Sequence, residues 1–317
     1  LTGPIVSLLS QTNTFISFVV PFFVYTTDTN GAQVVLGERF TMLAIAFGVI
    51  AFLMYQFCYH FSVERVQLPD TSEQPKESFG TQVQAIIKGL TTNRALVGII
   101  VAAIFLLLAQ LLVGSMNAYL YADYFQNFKA LSIAGIAGTI GTLILAPFSN
   151  KIASRFGKKE SGTVALIWAA LMYSILFFIG TSNVWVYLSI ATLGTLGQNY
   201  FNIIIWAFIT DIIDYQEIRT GQREDGTIYA VYSFARKIGQ ALAGGVGGFA
   251  LTAIGYVSAA SVQSTDVLDK VYAVASGVPA IGYLLVALSL FLIYPLGKKQ
   301  VRENSAILAG RREKTTV

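Results

Sequence analysis

Asp211 and Asp214 close a long apolar run, and Arg236 and Lys237 interrupt the next one. A lysine at the centre of a lipid-embedded segment costs about 2.5–3.5 kcal/mol unless it finds an acid or water. At 1.5 Å per helical residue from Gly226, Lys237 lies roughly 16 Å into its run. No acid lies at similar depth in the other apolar runs of the chain. Lys237 is therefore expected to face a central cavity and to exchange between an acid, a cation site and the hydroxyls of a ligand. Arg236 is rotated by about 100° from it and is expected to pair with a loop acid.

Three polar stripes accompany these charges. Gln110, Asn117, Tyr121 and Tyr124 share one helix face, as do Thr195, Asn199, Asn202 and Trp206, and Tyr229, Ser233 and Lys237. Stripes of this kind are costly against lipid and point inward. Amides and hydroxyls beside an aromatic plate suit a sugar, whose hydroxyls both donate and accept while its ring face is apolar. A single Asn serves equally well as interhelical glue, worth only about 0.6 kcal/mol per bond; three stripes together favour a cavity. Gly239, Gly244, Gly245, Gly247 and Gly248 follow Lys237 and allow close helix packing, with or without sliding. Cys58 and His60 are the single cysteine and histidine of the chain, so neither a disulfide nor a Cys/His metal cluster can form within it. No Gly-rich phosphate loop and no nucleophile–base pair is visible, which argues against an enzyme.

The elements that must carry these residues are membrane spans. The chain is 55% hydrophobic and 12% charged, about half the charge of an average soluble domain, with mean hydropathy +0.63. Eight windows reach the roughly 20 apolar residues that a bilayer core requires: 3–25, 38–61, 95–119, 130–149, 162–180, 184–210, 227–254 and 274–296. Turn signals such as Asp28-Thr29-Asn30-Gly31 separate them. With an even number of spans, sixteen of the 21 basic residues fall on one side and three on the other. This places the sixteen, and both ends of the chain, in the cytoplasm. The basic excess is thereby a topology signal and gives no reason to invoke nucleic acid. The organisation expected is two helices in 1–61, a central cytoplasmic loop in 62–94 with an amphipathic stretch over 83–90, a six-helix half in 95–296, and a cytoplasmic tail in 297–317. The start at Leu1 suggests that the front of the natural protein is absent.

The loop KIASRFGKKE, with Arg155, Phe156, Gly157, Lys158 and Lys159, resembles the basic signature of a major facilitator half. More specific is the set Asp211, Asp214, Tyr215, Gly221, Arg223, Gly226, Ser233, Phe234, Lys237, Ala241, Gly255 and Tyr256. Together with Glu64-Arg65-Val66, Asn93-Arg94 and Tyr294-Pro295-Leu296, it is similar to the glycoside–pentoside–hexuronide:cation symporter family of the major facilitator superfamily. The resemblance covers essentially the whole chain, aligned to family helices five to twelve. It implies an all-α membrane fold and sugar symport with Na⁺ or H⁺ by alternating access. The coupling cation is expected to bind acids on helices one to four, upstream of this chain. It further implies a charged gate of Asp211 and Asp214 with Arg223, Arg155 and Lys158, and a sugar site drawn from Gln110, Asn117, Tyr121, Asn199, Asn202, Trp206, Tyr229, Ser233 and Lys237. Where a well-known family member has a sugar-stacking tryptophan, this chain has Asn202, with Trp206 one turn further on. The expected partners are a sugar, the lipid bilayer and the upstream helices of the same chain, in a monomeric carrier of a bacterial inner membrane. The alternatives are a lipid or amphiphile carrier of the same fold and a non-transporting membrane sensor.

Overall fold

The computed structural model describes residues 25–27, 33–35, 37–61, 93–221, 223–257 and 263–315. The first expected span and the central loop with its amphipathic stretch lie outside these residues, apart from Tyr25 and Asn93–Arg94. The chain divides into two units, one within Leu8–Gln82 and one including Val83–Val317.

The first unit holds two short strands, β1 (Tyr25–Thr27) and β2 (Gln33–Val35), and helix α1 (Gly37–Phe61). The strands pair antiparallel, Tyr25 with Val35 and Thr27 with Gln33, on either side of the expected turn. None of the α1 residues is buried within the described structure.

The second unit comprises α2 (Arg94–Tyr119), extended by a π-helical turn over Leu120–Tyr124, α3 (Phe128–Phe156), α4 (Lys158–Ile179), α5 (Val184–Thr220), α6 (Asp225–Ala253), α7 (Thr265–Leu292) and α8 (Lys298–Thr315). Side-chain caps start four of them. Asn93, Asn127, Asn183 and Ser264 each accept from backbone N–H groups of the first turn of α2, α3, α5 and α7, where the helix has no internal partner to offer. Gly157, Gly180 and Gly221, all at positive φ, end α3, α4 and α5.

Helix α2 is the spine of this unit. It packs against α6 on one side and α7 on the other; α4 lies against α5 and α7, and α3 against α5. The crossings are tight because small residues sit at them. At Gly98 an added Cβ would lie 3.0 Å from the Tyr294 backbone, and the Ser289 hydroxyl donates to the Gly98 carbonyl at 3.0 Å. At Gly197 a Cβ would collide with the Ala165 carbonyl oxygen. We expect Gly197→Val to destabilise the protein by about 2–3 kcal/mol through overpacking of the α4–α5 contact, read as a lower unfolding temperature in detergent; an unchanged temperature would contradict this packing.

Five described helices are long and apolar enough to cross a membrane: α1, α2 with its π turn, α3 from Lys129, α4 and α7. Helices α5 and α6 are long enough but carry Gln198, Asn199 and Asn202, and Arg236, Lys237 and a run of glycines. Seven of the eight expected spans are thus helical, and the two that fall short in apolar character, α5 and α6, are those that carry these polar residues. The expected tail is itself mainly a helix, α8, with Leu308 and Asn304 buried.

Candidate functional site

The outer surface of α6 is split. Ile228, Tyr232, Ala235, Gly239 and Ala243 are buried, with Gly239 seated against Ile104 and Leu107 of α2. Of the remaining surface, one side is apolar and exposed, with Phe234, Ile238, Leu242 and Phe249. The other carries Tyr229, Ser233, Arg236, Lys237 and Gln240. The first is a face for lipid and the second is not.

The polar side of α6 meets α5 at Trp206. The Trp206 ring stacks on Tyr229, with centroids 6.4 Å apart and planes 23° apart, and meets Tyr232 edge-on at 5.7 Å. The Arg236 guanidinium lies 5.5 Å from the Trp206 ring and 5.8 Å from the Tyr232 ring. The expectation that Arg236 pairs with a loop acid is corrected here: its position one turn from Tyr232 and opposite Trp206 turns it onto two aromatic faces, which hold a guanidinium by cation–π attraction. Asn202 is half-buried one turn before Trp206. Ser233 and Lys237 are exposed, and Lys237 makes no hydrogen bond, ion pair or ring contact with the other described residues.

A second polar neighbourhood lies at the end of the unit where α3 meets α4. Asp211 is 6% exposed, and its Oδ1 accepts from Lys158 Nζ at 2.6 Å. The same ammonium donates to the Ala207 carbonyl at 3.1 Å, while Asp211 Oδ2 is buried without a partner among the described residues. One turn on, Arg223 donates to Asp214 at 3.1 Å, Glu217 at 2.8 Å and Asp225 at 2.8 Å, tying the end of α5 to the start of α6. Burial works against this guanidinium's charge, but the three carboxylates outweigh it and hold its pKa above the usual range. Other cations at this end cap helix carbonyls. Lys159 donates to the Tyr294 carbonyl at 2.6 Å and to that of Phe291 at 3.2 Å, Arg94 to Leu292 at 2.6 Å, and Lys298 to Arg155 at 2.5 Å. Positive charge there complements the negative end of the helix dipole. Glu160 accepts from the Lys298 amide at 3.0 Å. At the opposite end of α6, Tyr256 donates to Asp123 at 2.7 Å; burial and the adjacent carboxylate push its pKa up to about 12.

A family model described as MFS/sugar transport protein matches residues 6–298. The chain belongs to this family of the major facilitator superfamily. It is 29% identical over 269 residues to the uncharacterized symporter YjmB of Bacillus subtilis (strain 168), an alignment covering 85% of this chain and 56% of that protein. It is 27% identical over 261 residues to the glucuronide carrier protein homolog of Escherichia coli (strain K12), covering 82% and 55%. It is 29% identical over 263 residues to a putative sulfoquinovose importer of the same strain, covering 81% and 54%. The chain therefore spans little more than half the length of these relatives.

Within this facilitator chain the expected site residues separate into groups. Asn202, Trp206, Tyr229, Ser233 and Lys237 border the surface shared by α5 and α6. Asn199 turns to α3, donating to the Thr142 hydroxyl at 2.7 Å. On α2, Gln110 and Asn117 are half-buried, with Asn117 Oδ1 lacking a partner among the described residues. Tyr121 is 1% exposed and sits in a ring cluster with Phe125 at 5.9 Å and Tyr187 at 6.0 Å, apart from Trp206. Of the expected gate residues, Lys158 joins Asp211 and Arg223 joins Asp214, whereas the Arg155 side chain is exposed and lies over Phe156 at 5.7 Å. Two residues were not expected at the site: Arg236, whose expected partner was a loop acid, and Gln198, which is buried and accepts from the Tyr283 hydroxyl at 2.9 Å. Gln198 lies one residue off the α5 stripe, so helical spacing alone did not mark it; an amide inside an otherwise apolar segment was the available signal.

Proposed function

We propose that the complete polypeptide containing this chain is a secondary transporter that carries a sugar (a glycoside, pentoside or hexuronide) together with Na⁺ or H⁺ by alternating access. On this reading residues 1–61 are the last two helices of an N-terminal half, 62–94 the central loop, 95–296 the C-terminal half and 297–317 the tail. Both ends and the Lys158 end lie in the cytoplasm of a bacterium, the protein sits in the inner membrane as a monomer, and upstream helices supply the cation site. The observation that carries the reading is the α5–α6 surface: an aromatic plate of Trp206 and Tyr229, with Lys237 on the same polar side of α6 and no carboxylate paired to it among the described residues. A major facilitator carrier places its substrate between helical halves, and a plate flanked by amides, hydroxyls and an ammonium suits a sugar.

Asn202, Ser233, Tyr229, Gln110 and Asn117 would bind hydroxyls, and Lys237 would link sugar to cation by exchanging partners between them. Tyr121 and Asn199 would brace the site from behind. The pairs Lys158–Asp211 and Arg223–Asp214 would act as a latch at the cytoplasmic end, closed in one conformer and open in the other. Coupling then follows from linkage, each ligand favouring the state that binds the other. Counterflow of radiolabelled sugars into proteoliposomes holding the complete polypeptide tests this. Exchange that rises with Na⁺ or with a proton gradient is expected, and no exchange across a broad sugar panel would overturn the reading.

A further inference from the structure

Resting on the transport reading above, we propose that Arg236 selects substrates bearing an acid group, a carboxylate or sulfonate carried by the sugar. Arg236 is half-buried, and Trp206 and Tyr232 lie 5.5 and 5.8 Å from its guanidinium carbon. The Tyr232 hydroxyl is the one polar side-chain neighbour of Arg236 among the described residues, and a guanidinium has five N–H donors in a fork geometry that matches the two oxygens of a carboxylate. Among the described residues no carboxylate pairs with it. The contrast with Arg223 is instructive: that guanidinium holds Asp214, Glu217 and Asp225 and has little capacity left for a ligand. Lys237, the next residue, also lacks an acid. Two adjacent cations therefore stand in this helix without a counter-charge among the described residues. A neutral sugar leaves both uncompensated, and an acidic one neutralises one of them where desolvation makes the pairing strong. The stacked Trp206–Tyr229 pair offers a face for the sugar ring next to this fork. The platform and the charge thus address different parts of one molecule.

The test is counterflow by the complete polypeptide in proteoliposomes, with radiolabelled D-glucuronate and D-glucose run in parallel. D-glucuronamide and 6-deoxy-6-sulfoglucose serve as unlabelled competitors. The wild type is expected to prefer glucuronate over glucose by roughly 10- to 100-fold, the range of a charge-assisted hydrogen bond. The sulfonate competes and the amide does not; the stronger of glucuronate and the sulfonate identifies the acid. Arg236→Gln is expected to lose the preference while still exchanging glucose, and Arg236→Lys to restore part of it. Equal exchange of glucose and glucuronate by the wild type overturns the proposal and leaves the transport reading standing. So does an Arg236→Gln variant that loses both sugars alike, because a purely structural clip between α5 and α6 would act that way. Exchange of no sugar at all overturns the transport reading itself.

Discussion

Replacing Lys158 by alanine is expected to lower stability by about 1–3 kcal/mol. Asp211 is 6% exposed, and Lys158 is its one charged partner among the described residues. Its second oxygen has no partner among the described residues, so removing the ammonium leaves a carboxylate with no described cation to offset its desolvation. Breaking a buried pair from one side costs about 3–5 kcal/mol; the Lys158 side chain is 29% exposed, so water screens part of the interaction and the lower figure applies. Asp211→Asn is expected to cost less, since a neutral amide can still meet Lys158 and loses little on burial. The double variant Lys158→Met with Asp211→Leu should recover most of the loss, because an apolar pair of similar volume avoids the desolvation altogether. Thermal unfolding of the wild type, Lys158→Met, Asp211→Leu and the double variant in one detergent forms a double-mutant cycle. Losses that simply add would show that the two groups do not couple.

The Lys237→Ala variant is expected to separate transport from stability. Lys237 is exposed and makes no described hydrogen bond or ion pair, so its removal takes away no packing. In a bilayer it removes an ammonium whose placement at depth costs about 2.5–3.5 kcal/mol. The variant should therefore unfold at the wild-type temperature or above it. Counterflow should fall by about 10- to 100-fold, the worth of a charged hydrogen bond to substrate or to a counter-acid. Loss of activity with gain of stability is the signature of a residue kept for function. Full counterflow with the variant would remove Lys237 from the site, and a marked fall in unfolding temperature would make its role structural.

Much of the fold was legible as runs of apolar residues, yet the helix ends were not. Helix α7 begins at Thr265, nine residues before the apolar window. Its first turns carry Asp266, Asp269 and Lys270, which depress hydropathy without opposing helix: Ser264 caps them and Asp266 pairs with Lys270 at 2.6 Å. Helix α5 likewise runs ten residues past its window, because Asp211, Ile212 and Ile213 are all buried and one acid with its own counter-ion does not end a packed helix. The mainly polar α8 escaped hydropathy altogether, since of its described residues two, Leu308 and Asn304, are buried. At the site, spacing marked the faces of α5 and α6 but not their partners. Whether Arg236 meets an acid or an indole depends on the rotation of two helices about their axes, and a one-dimensional pattern does not hold that information. Tyr121 shows the same limit, since a tyrosine on a polar stripe can still turn its ring into a tyrosine-rich core.

The cations capping carbonyls near Gly157 have a bearing on proton sensitivity. Lys159, Arg94 and Lys298 are fastened to main-chain oxygens of Tyr294, Leu292 and Arg155, acceptors that do not take up protons in water. These ties persist in acid, whereas the one from Lys158 to Asp211, whose pKa burial raises, loosens once that carboxyl is protonated. Acidification thus weakens the charged tie between α4 and α5 first, while the ties that clasp α4, α7 and α2 stay in place.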